Sequence, residues 1–251
     1  MTIRFWLALA TLVLTTRMPL LSAQTVGPGD RPAPQAGNET WTNAHTALID
    51  KAKRGNIALY FAGDSITRRW EATHKENWDH NFAGWQAADF GAGGDRTENL
   101  LYRLLNGELD GVDPKVVVLL IGTNNVGFDP VGSSDDALVS DTVRGITACV
   151  GAIRRKAPGA KILLMGITPR NTKGSTAVMP TINKINRGIA ALADGSRITF
   201  LDIGNLLADA TGTLFEGMTD DGLHLTDKGY QVWADAMRPV LTSWLGPRAT
   251  N

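Results

Sequence analysis

Two patterns of apolar and polar residues alternate along the chain. Short segments that are apolar almost without interruption are typical of strands buried on both faces of a parallel sheet. Longer segments with apolar residues every three or four positions are typical of amphipathic helices. The predicted strands are residues 57–62, 87–90, 116–121, 161–167 and 198–201. The predicted helices are residues 40–54, 97–105, 135–156, 179–193 and 226–245. This alternation predicts an α/β fold with three layers, α/β/α, around a doubly wound parallel sheet of five strands.

The N-terminal segment has the layout of a secretory signal peptide. Arg4 gives a positive start, residues 5–16 are apolar apart from threonines, and residues 21–23 end in a small residue. We therefore predict a signal peptide over residues 1–23, cleavage after Ala23, and a secreted or periplasmic protein. An uncleaved anchor is the alternative, although an apolar run of about a dozen residues is shorter than the roughly 20 of a transmembrane helix.

The remainder of the chain divides into a leader and one domain. Residues 24–38 are rich in Pro and Gly and lack an apolar period, which predicts a flexible, exposed leader. Residues 39–251 have the length of a single globular domain. No segment after the signal peptide is long and apolar enough to span a bilayer, so we expect no integral membrane span in the mature protein.

Composition and charge exclude several functions. Lys plus Arg and Asp plus Glu both number 25, without long runs of either sign, so the sequence offers no field that would attract nucleic acid. The single cysteine, Cys149, lies at helical spacing from Ile146, Val150 and Ile153, which favours a buried thiol over a nucleophile. No His-x-x-x-His or Cys-x-x-Cys spacing indicates a metal site, and we expect no metal.

The candidate nucleophile follows the first predicted strand. In parallel sheets of this kind, ligands bind beyond the carboxyl ends of the strands, and Gly63-Asp64-Ser65 stands at the first of these ends. A turn followed by a helix cap would use the same tripeptide. The Gly-x-Ser-x-Gly elbow of α/β-hydrolases is absent, because Thr67 occupies the position of its second glycine.

Two further loops follow predicted strands. A glycine-rich stretch, residues 91–94, precedes Asp95 and Glu98, whose spacing resembles a capping box and predicts a helix start. A phosphate cradle is the alternative, but neither standard phosphate-loop motif can be written across these residues. After the third strand, Asn124 and Asn125 could donate hydrogen bonds into the same cleft or form a simple turn.

The candidate base lies near the C-terminus. Asp221 and His224 are three residues apart, so one turn can bring the carboxylate to one ring nitrogen and leave the other free for a general base. A surface pair or a helix cap would have the same spacing. The other histidines, His45, His74 and His80, have no comparable neighbour in sequence.

Together these blocks resemble those of the SGNH/GDSL hydrolase superfamily: Gly63-Asp64-Ser65, Gly94, Asn124 and Asp221 to His224. Within it, the chain is similar to the catalytic subunits of platelet-activating factor acetylhydrolase and their secreted bacterial esterase relatives. The similarity extends over residues 40–244 and includes Asn81-Phe82, Leu104 to Leu109, Pro114 to Val118 and Leu223 to Thr226. It implies a flavodoxin-like sheet and a serine esterase without cofactor or metal.

The resemblance also implies roles for individual residues. Ser65 would attack the ester, His224 would accept its proton, and Asp221 would orient the imidazole. The oxyanion would be held by the backbone N–H groups of Ser65 and Gly94 and by the side-chain amide of Asn124. We further expect the neighbouring side chains of these motifs to contact substrate; they are Asp64 and Asn125.

The substrate remains open between several classes. The resemblance implies hydrolysis of short O-acyl esters, acetyl above all, in a small molecule or a polysaccharide. Phospholipid-type acetyl esters are one alternative, and a non-catalytic carbohydrate-binding module on the same scaffold is another. Trp70 and Trp85 could form a sugar platform or belong to the core. The sequence does not distinguish a monomer from a homodimer.

Overall fold

A five-stranded, fully parallel sheet lies at the centre of the protein. The computed structural model describes residues 28–127, 136–171 and 174–249, and the strand order is β2-β1-β3-β4-β5. The strands are β1 (Leu59–Gly63), β2 (Ala87–Gly91), β3 (Val116–Leu120), β4 (Lys161–Met165) and β5 (Ile198–Leu201). This arrangement confirms the predicted doubly wound α/β fold. The strand order reverses between β1 and β3, which is the point where ligands bind in such sheets.

Helices cover both faces of this sheet. They are α1 (Glu39–Lys53), α2 (Ser65–Thr73), α3 (Lys75–Phe82), α4 (Thr97–Arg103), α5 (Thr123–Val126), α6 (Asp136–Lys156), α7 (Met179–Ala190), α8 (Gly204–Leu207) and α9 (Asp227–Leu245). A π-helical turn, Leu104–Glu108, extends α4. None of the helices in the described ranges combines the length and apolar character needed to cross a membrane.

Strand β1 shows how the sheet divides the core into two layers. Tyr60 and Ala62 pack into the cluster that includes residues of α4, α6 and α7, whereas Leu59 and Phe61 pack into the cluster that includes residues of α2, α3 and α9. Side chains alternate in this way because the residue period of a strand is two. Both faces are therefore buried, which explains the uninterrupted apolar pattern of the strand sequences.

The tryptophans considered as a sugar platform belong to the core. Trp70 is fully buried, with its ring centroid 4.7 Å from those of Tyr230 and Trp233. Trp85 is only 6% exposed, and its indole N–H donates to the backbone oxygen of Gly246. Neither ring offers a face to a ligand, so the platform interpretation is wrong and the core interpretation is right.

Several predicted boundaries differ from the structure. Helices α2 and α3 were not predicted as separate elements, because their sequences are mostly polar and bury only a few side chains, among them Trp70 and Trp78. Strand β1 begins at Leu59 rather than residue 57, and β4 ends at Met165 rather than residue 167. Helix α7 ends at Ala190 rather than residue 193.

Part of the predicted leader contacts the domain. The backbone N–H of Gly29 donates to the Asp141 carboxylate, and that of Ala33 donates to the carbonyl of Glu98. The side chain of Gln35 donates to the carbonyl of Gly93. Most side chains of this segment are exposed as expected, and these bonds connect it with the domain. Its flexibility stays a prediction. The predicted signal peptide and residues 24–27 lie outside the described residues.

Candidate active site

The candidate nucleophile stands on a tight turn between β1 and α2. A Cβ on Gly63 would lie 2.6 Å from the backbone oxygen of Leu120, so only glycine fits at the strand end. Asp64 then caps α2, and its carboxylate accepts the backbone N–H of Ile66 at 2.9 Å. Ser65 is the first residue of the helix and is half-buried. The sheet and the cap together direct this turn to the carboxyl edge of the sheet.

The candidate base reaches the serine from the other end of the chain. Nε2 of His224 lies 3.0 Å from Oγ of Ser65, and Nδ1 of the same ring lies 2.7 Å from a carboxylate oxygen of Asp221. The other oxygen of Asp221 accepts the backbone N–H groups of Leu223 and His224 at 3.0 and 2.8 Å. The structure therefore assembles the three predicted residues in one chain of contacts.

The ionisation of Asp221 fixes the orientation of the imidazole. Partial burial alone would raise the pKa of this carboxyl, but hydrogen bonds from the His224 ring and from the backbone of His224 and Leu223 outweigh it and lower the pKa. An ionised carboxylate can only accept, so the hydrogen of the neutral ring resides on Nδ1. Nε2 then has a free lone pair directed at Ser65.

The loop that contains His224 is fastened to the segment after β4. Gly222 has a φ of +82°, and a Cβ there would lie 2.2 Å from the backbone oxygen of Asn171. The backbone N–H of Asn171 donates to the carbonyl of Gly222 at 2.7 Å, and that of Asp220 donates to the carbonyl of His224 at 3.0 Å. These contacts require glycine in the Asp-Gly-Leu-His motif and hold the imidazole at the sheet edge.

The expected oxyanion residues line the same cleft. Ser65, Gly94, Asn124 and His224 all face a cleft of about 560 Å³. The side-chain amide of Asn124 donates one hydrogen to the backbone oxygen of Asp95 at 2.8 Å. An amide NH₂ has two hydrogens, so this bond orients the group and leaves the second hydrogen for a ligand.

The glycine-rich loop differs from the predicted capping box. Helix α4 begins at Thr97, and the side-chain oxygen of Asn99 accepts the backbone N–H of Arg96 at 3.0 Å. Asp95 is instead buried below the loop, and the Glu98 carboxylate accepts a hydrogen bond from the side-chain amide of Asn125 on α5. The prediction that Asp95 and Glu98 form the cap is therefore wrong, although the helix starts where it was expected.

Two predicted substrate contacts are not available to a ligand. Asp64 is fully buried, and burial raises the pKa of its carboxyl to about 7. Asn125 is 4% exposed, and its amide bonds to the backbone N–H and hydroxyl of Thr97 and to the Glu98 carboxylate. The expectation that Asp64 and Asn125 contact substrate is corrected, because Asp64 caps α2 and Asn125 fastens α5 to the start of α4.

A buried arginine that no local sequence motif marks joins the two loops beneath the cleft. Arg103 donates to the carbonyls of Gly63 at 2.9 Å and Phe90 at 3.0 Å. It also forms ion pairs with Asp95, at 2.7 Å, and with Glu108. Burial alone would lower the pKa of Arg103, but the two carboxylates outweigh this effect and raise it. The guanidinium is therefore charged and ties the nucleophile turn to the glycine-rich loop.

This buried network extends to the leader and to α1. The second oxygen of Asp95 accepts the indole N–H of Trp41 at 2.6 Å and the side-chain amide of Gln35 at 2.9 Å. Glu108 in turn lies 2.7 Å from Nδ1 of His45. The only sequence signal for the network is a charged residue among the apolar positions of α4, because its partners are far apart along the chain.

One face of α2 forms part of the cleft. Arg68 and Arg69 stand three and four positions after Ser65, so their side chains lie on the same side of the helix. Arg69 pairs with Asp220 at 3.4 Å, which connects α2 with the histidine loop. Thr73, two turns along, also lines the cleft. No sequence pattern marks these residues, because the mostly polar α2 lacks the apolar period of a predicted helix.

Other potential sites lack the predicted chemistry. A cavity of about 590 Å³ beside β4 and β5 is lined by Asp202, Asn205 and Phe215, among others, but by none of the predicted site residues. Cys149 is fully buried, as expected, and burial raises the pKa of its thiol well above its usual value. Within the described ranges, no cluster of three or more His, Cys, Asp or Glu residues could hold a metal ion.

Comparisons with known proteins agree with this geometry. Residues 61–232 match the model of the GDSL-like lipase/acylhydrolase family. The chain is 30% identical to platelet-activating factor acetylhydrolase IB subunit alpha1 of Bos taurus, over 85% of this chain and 89% of the relative. The alpha2 subunit of Rattus norvegicus is 31% identical over 77% of this chain and 80% of its own length.

Solved structures share the fold at lower identity. A GDSL-like lipase of Bacteroides thetaiotaomicron superposes with a TM-score of 0.61 at 22% identity, covering 82% of this chain and 97% of the other. An acetyl-xylooligosaccharide esterase of Geobacillus Stearmophilus superposes with a TM-score of 0.56 at 17% identity, covering 76% and 96%. At these identities the likeness shows a common fold.

Proposed function

The chain belongs to the GDSL-like lipase/acylhydrolase family and is an ester hydrolase, and we propose that it removes short acyl groups, mainly acetyl, from carbohydrate esters through an acyl-enzyme on Ser65. The observation on which this proposal rests is the contact chain from Ser65 Oγ through the His224 ring to Asp221. A serine becomes a nucleophile when a neighbouring base accepts its proton as it attacks.

The proposed reaction has two balanced halves. Oγ of Ser65 forms a bond to the ester carbonyl carbon while its proton moves to Nε2 of His224. The tetrahedral intermediate collapses, the bond to the alcohol oxygen breaks, and the alcohol leaves with the proton from His224. Water then attacks the acyl-serine with His224 as base, and collapse releases the carboxylic acid and restores the serine hydroxyl. Asp221 stabilises the imidazolium in both halves.

The negative oxygen of each intermediate requires donors that are already in position. We assign this role to the backbone N–H groups of Ser65 and Gly94 and to the free amide hydrogen of Asn124, because all three residues border the cleft beside His224. The bond from Asn124 to the Asp95 carbonyl holds the amide before substrate arrives. Such preorganised donors stabilise developing charge without further reorganisation.

The relatives support an acetyl group, and the N-terminal sequence pattern supports a carbohydrate alcohol. The curated relatives are acetylhydrolases by name, and an acetyl-xylooligosaccharide esterase has the same fold. The N-terminal segment has the layout of a signal peptide, which supports export. Outside the cytoplasm, carbohydrate polymers are accessible substrates. We therefore propose a secreted or periplasmic carbohydrate deacetylase. Membership in a hydrolase family argues against the non-catalytic binding module.

A hydrolysis panel tests the substrate class. Purified mature protein is incubated with acetylated xylan, acetylated monosaccharides and an acetylated phospholipid, and released acetate is measured. We expect acetate from the carbohydrate esters, and no release from Ser65→Ala. The matched control is Ser243→Ala, an exposed serine on α9, which should behave as wild type. Acetate from the phospholipid alone would overturn the carbohydrate assignment.

Export is tested separately. The protein is expressed with its complete N-terminus, and the secreted or periplasmic fraction is analysed by intact mass. We expect a species that begins at Gln24. Recovery of the full-length chain in the membrane fraction would favour the uncleaved anchor instead.

A further inference from the structure

Arg68 places a positive charge beside the reacting serine. It stands one helical turn after Ser65 on α2 and lines the same cleft. Its Nε lies 3.8 Å from the position that a Cβ on Gly93 would occupy. The side chain therefore passes from α2 along the glycine-rich loop, next to the oxyanion residue Gly94.

The guanidinium of Arg68 is not engaged in a structural contact within the described residues, whereas those of the neighbouring arginines are. Arg69 pairs with Asp220, and Nε of Arg96 donates to the backbone oxygen of Asn124. Arg68 is exposed, and its guanidinium forms no ion pair or side-chain hydrogen bond with any residue in the described ranges. Asp221, the carboxylate of the catalytic loop, is already engaged by His224.

A free guanidinium in a substrate cleft has a clear chemical preference. Its planar fork matches the oxygens of a carboxylate or a phosphate, and such charge-assisted pairs are about twice as strong as neutral hydrogen bonds. Among carbohydrate esters, a uronate supplies such a group as a carboxylate. The N-terminus of α2, with its partial positive charge, points to the same region and adds to the attraction. An acetyl group contains no charge, so a negative group would have to belong to the alcohol portion of the ester.

We propose that Arg68 binds a carboxylate on the alcohol portion, and that the preferred substrate is therefore an acetylated acidic sugar such as a uronate. This inference rests on the proposed esterase function and narrows its substrate class. Arg68 contributes binding and selectivity rather than chemistry, because the oxyanion is held by the three donors already assigned. Removal of its charge should change KM for acidic esters more than kcat.

A matched pair of esters tests this role. Acetylated methyl glucuronide and acetylated methyl glucoside differ by a carboxylate in place of a hydroxymethyl group. We expect the wild type to have a higher kcat/KM for the glucuronide than for the glucoside. Arg68→Gln should lower the ratio of these values, glucuronide over glucoside, about tenfold. Arg68→Lys should restore part of the ratio. The control is Arg155→Gln, which removes an exposed arginine on α6 and should leave the ratio at the wild-type value.

A binding measurement separates this proposal from the esterase assignment. Methyl glucuronide and methyl glucoside, both unacetylated, are titrated into Ser65→Ala and Ser65→Ala/Arg68→Gln by NMR. Tighter binding of the glucuronide that disappears in the double variant supports the proposal. Equal affinity for the two sugars, or an equal loss of kcat/KM for both esters in Arg68→Gln, overturns it. Failure to hydrolyse any ester refutes the proposed function, and the titration still decides the role of Arg68.

Discussion

Oγ of Ser65 and Nε2 of His224 lie 3.0 Å apart although the two residues are separated by 159 positions in sequence. The ends of β1 and of the loop before α9 meet at the carboxyl edge of the sheet. The hydroxyl can donate to the ring because the hydrogen of the imidazole is held on Nδ1 by Asp221. A base that is already aligned in this way should impose a simple pH dependence on the enzyme.

We expect kcat/KM to fall on the acid side with a slope of one log unit per pH unit. Protonation of His224 removes the lone pair that accepts the serine proton, so the protonated form of the enzyme is inactive. Asp221 should not add a second ionisation there, because its pKa is lowered and it stays ionised. Initial rates with a neutral acetate ester between pH 4 and 8 measure the slope. A flat profile, or a slope of two, would contradict the assignment.

The neighbouring asparagines Asn124 and Asn125 should respond differently to alanine substitution. Asn124 faces the cleft, so Asn124→Ala should lower kcat about 10²–10³-fold with little change in stability. Asn125 is buried and bonds to Thr97 and Glu98, so Asn125→Ala should lower the free energy of unfolding by about 1–3 kcal/mol. Kinetics and urea unfolding of both variants provide the comparison. If Asn124→Ala retained full kcat, the side-chain amide of Asn124 would not belong to the oxyanion hole.

The buried Arg103 should be a large determinant of stability. Its replacement leaves Asp95 and Glu108 without a countercharge in the interior, and breaking such a pair costs about 3–5 kcal/mol. We expect this loss for Arg103→Met in urea unfolding, and a smaller loss for Arg103→Lys, which keeps the charge. Arg155→Met, at an exposed position on α6, is the control. A loss below about 1 kcal/mol would show that the network does not stabilise the fold.

Asp64 should make the protein less stable as the pH rises. Burial raises its pKa from 3.8 to about 7, and the charge of Asp95 adds to this effect, although the Ile66 N–H, Arg103 and Arg170 oppose it. The folded state therefore binds this proton more tightly than the unfolded state. The corresponding stability is fully present below about pH 4 and is lost as the pH approaches 7.

Asp64→Asn tests this linkage because asparagine also caps helices. We expect the difference in unfolding free energy, variant minus wild type, to increase by a few kcal/mol between pH 4 and 8. Asp50→Asn, at an exposed position on α1, should show no such trend. A difference that is independent of pH would mean that Asp64 titrates normally. The acid limb of activity should persist in Asp64→Asn, since it belongs to His224.

The sequence predicts those features whose signal is local. The strands are recognisable because both of their faces are buried. Four site residues are recognisable because each follows or precedes an element at the sheet edge; they are Ser65, Gly94, Asn124 and His224. Helix α3 was missed, since few of its side chains are apolar.

Features that depend on distant contacts could not be predicted. Asn125 stands within a motif of the site but points inward, and its role follows from its contacts with Thr97 and Glu98, 28 and 27 positions away. The bonds of the leader to Asp141, Glu98 and Gly93 likewise join residues that are far apart in sequence. Arg103 has partners on β1, on β2, in the glycine-rich loop and in the π-helical turn, which no periodic pattern reveals.

Covalent labelling tests the activated serine most directly. A fluorophosphonate probe reacts with a serine hydroxyl only when a base accepts its proton, so the wild-type protein should be labelled in a 1:1 ratio, with the modification on Ser65 in a peptide mass map. His224→Ala should be labelled much more slowly, and Ser243→Ala should be labelled as wild type. An unlabelled wild-type protein, or a label on any other residue, would contradict the proposed mechanism.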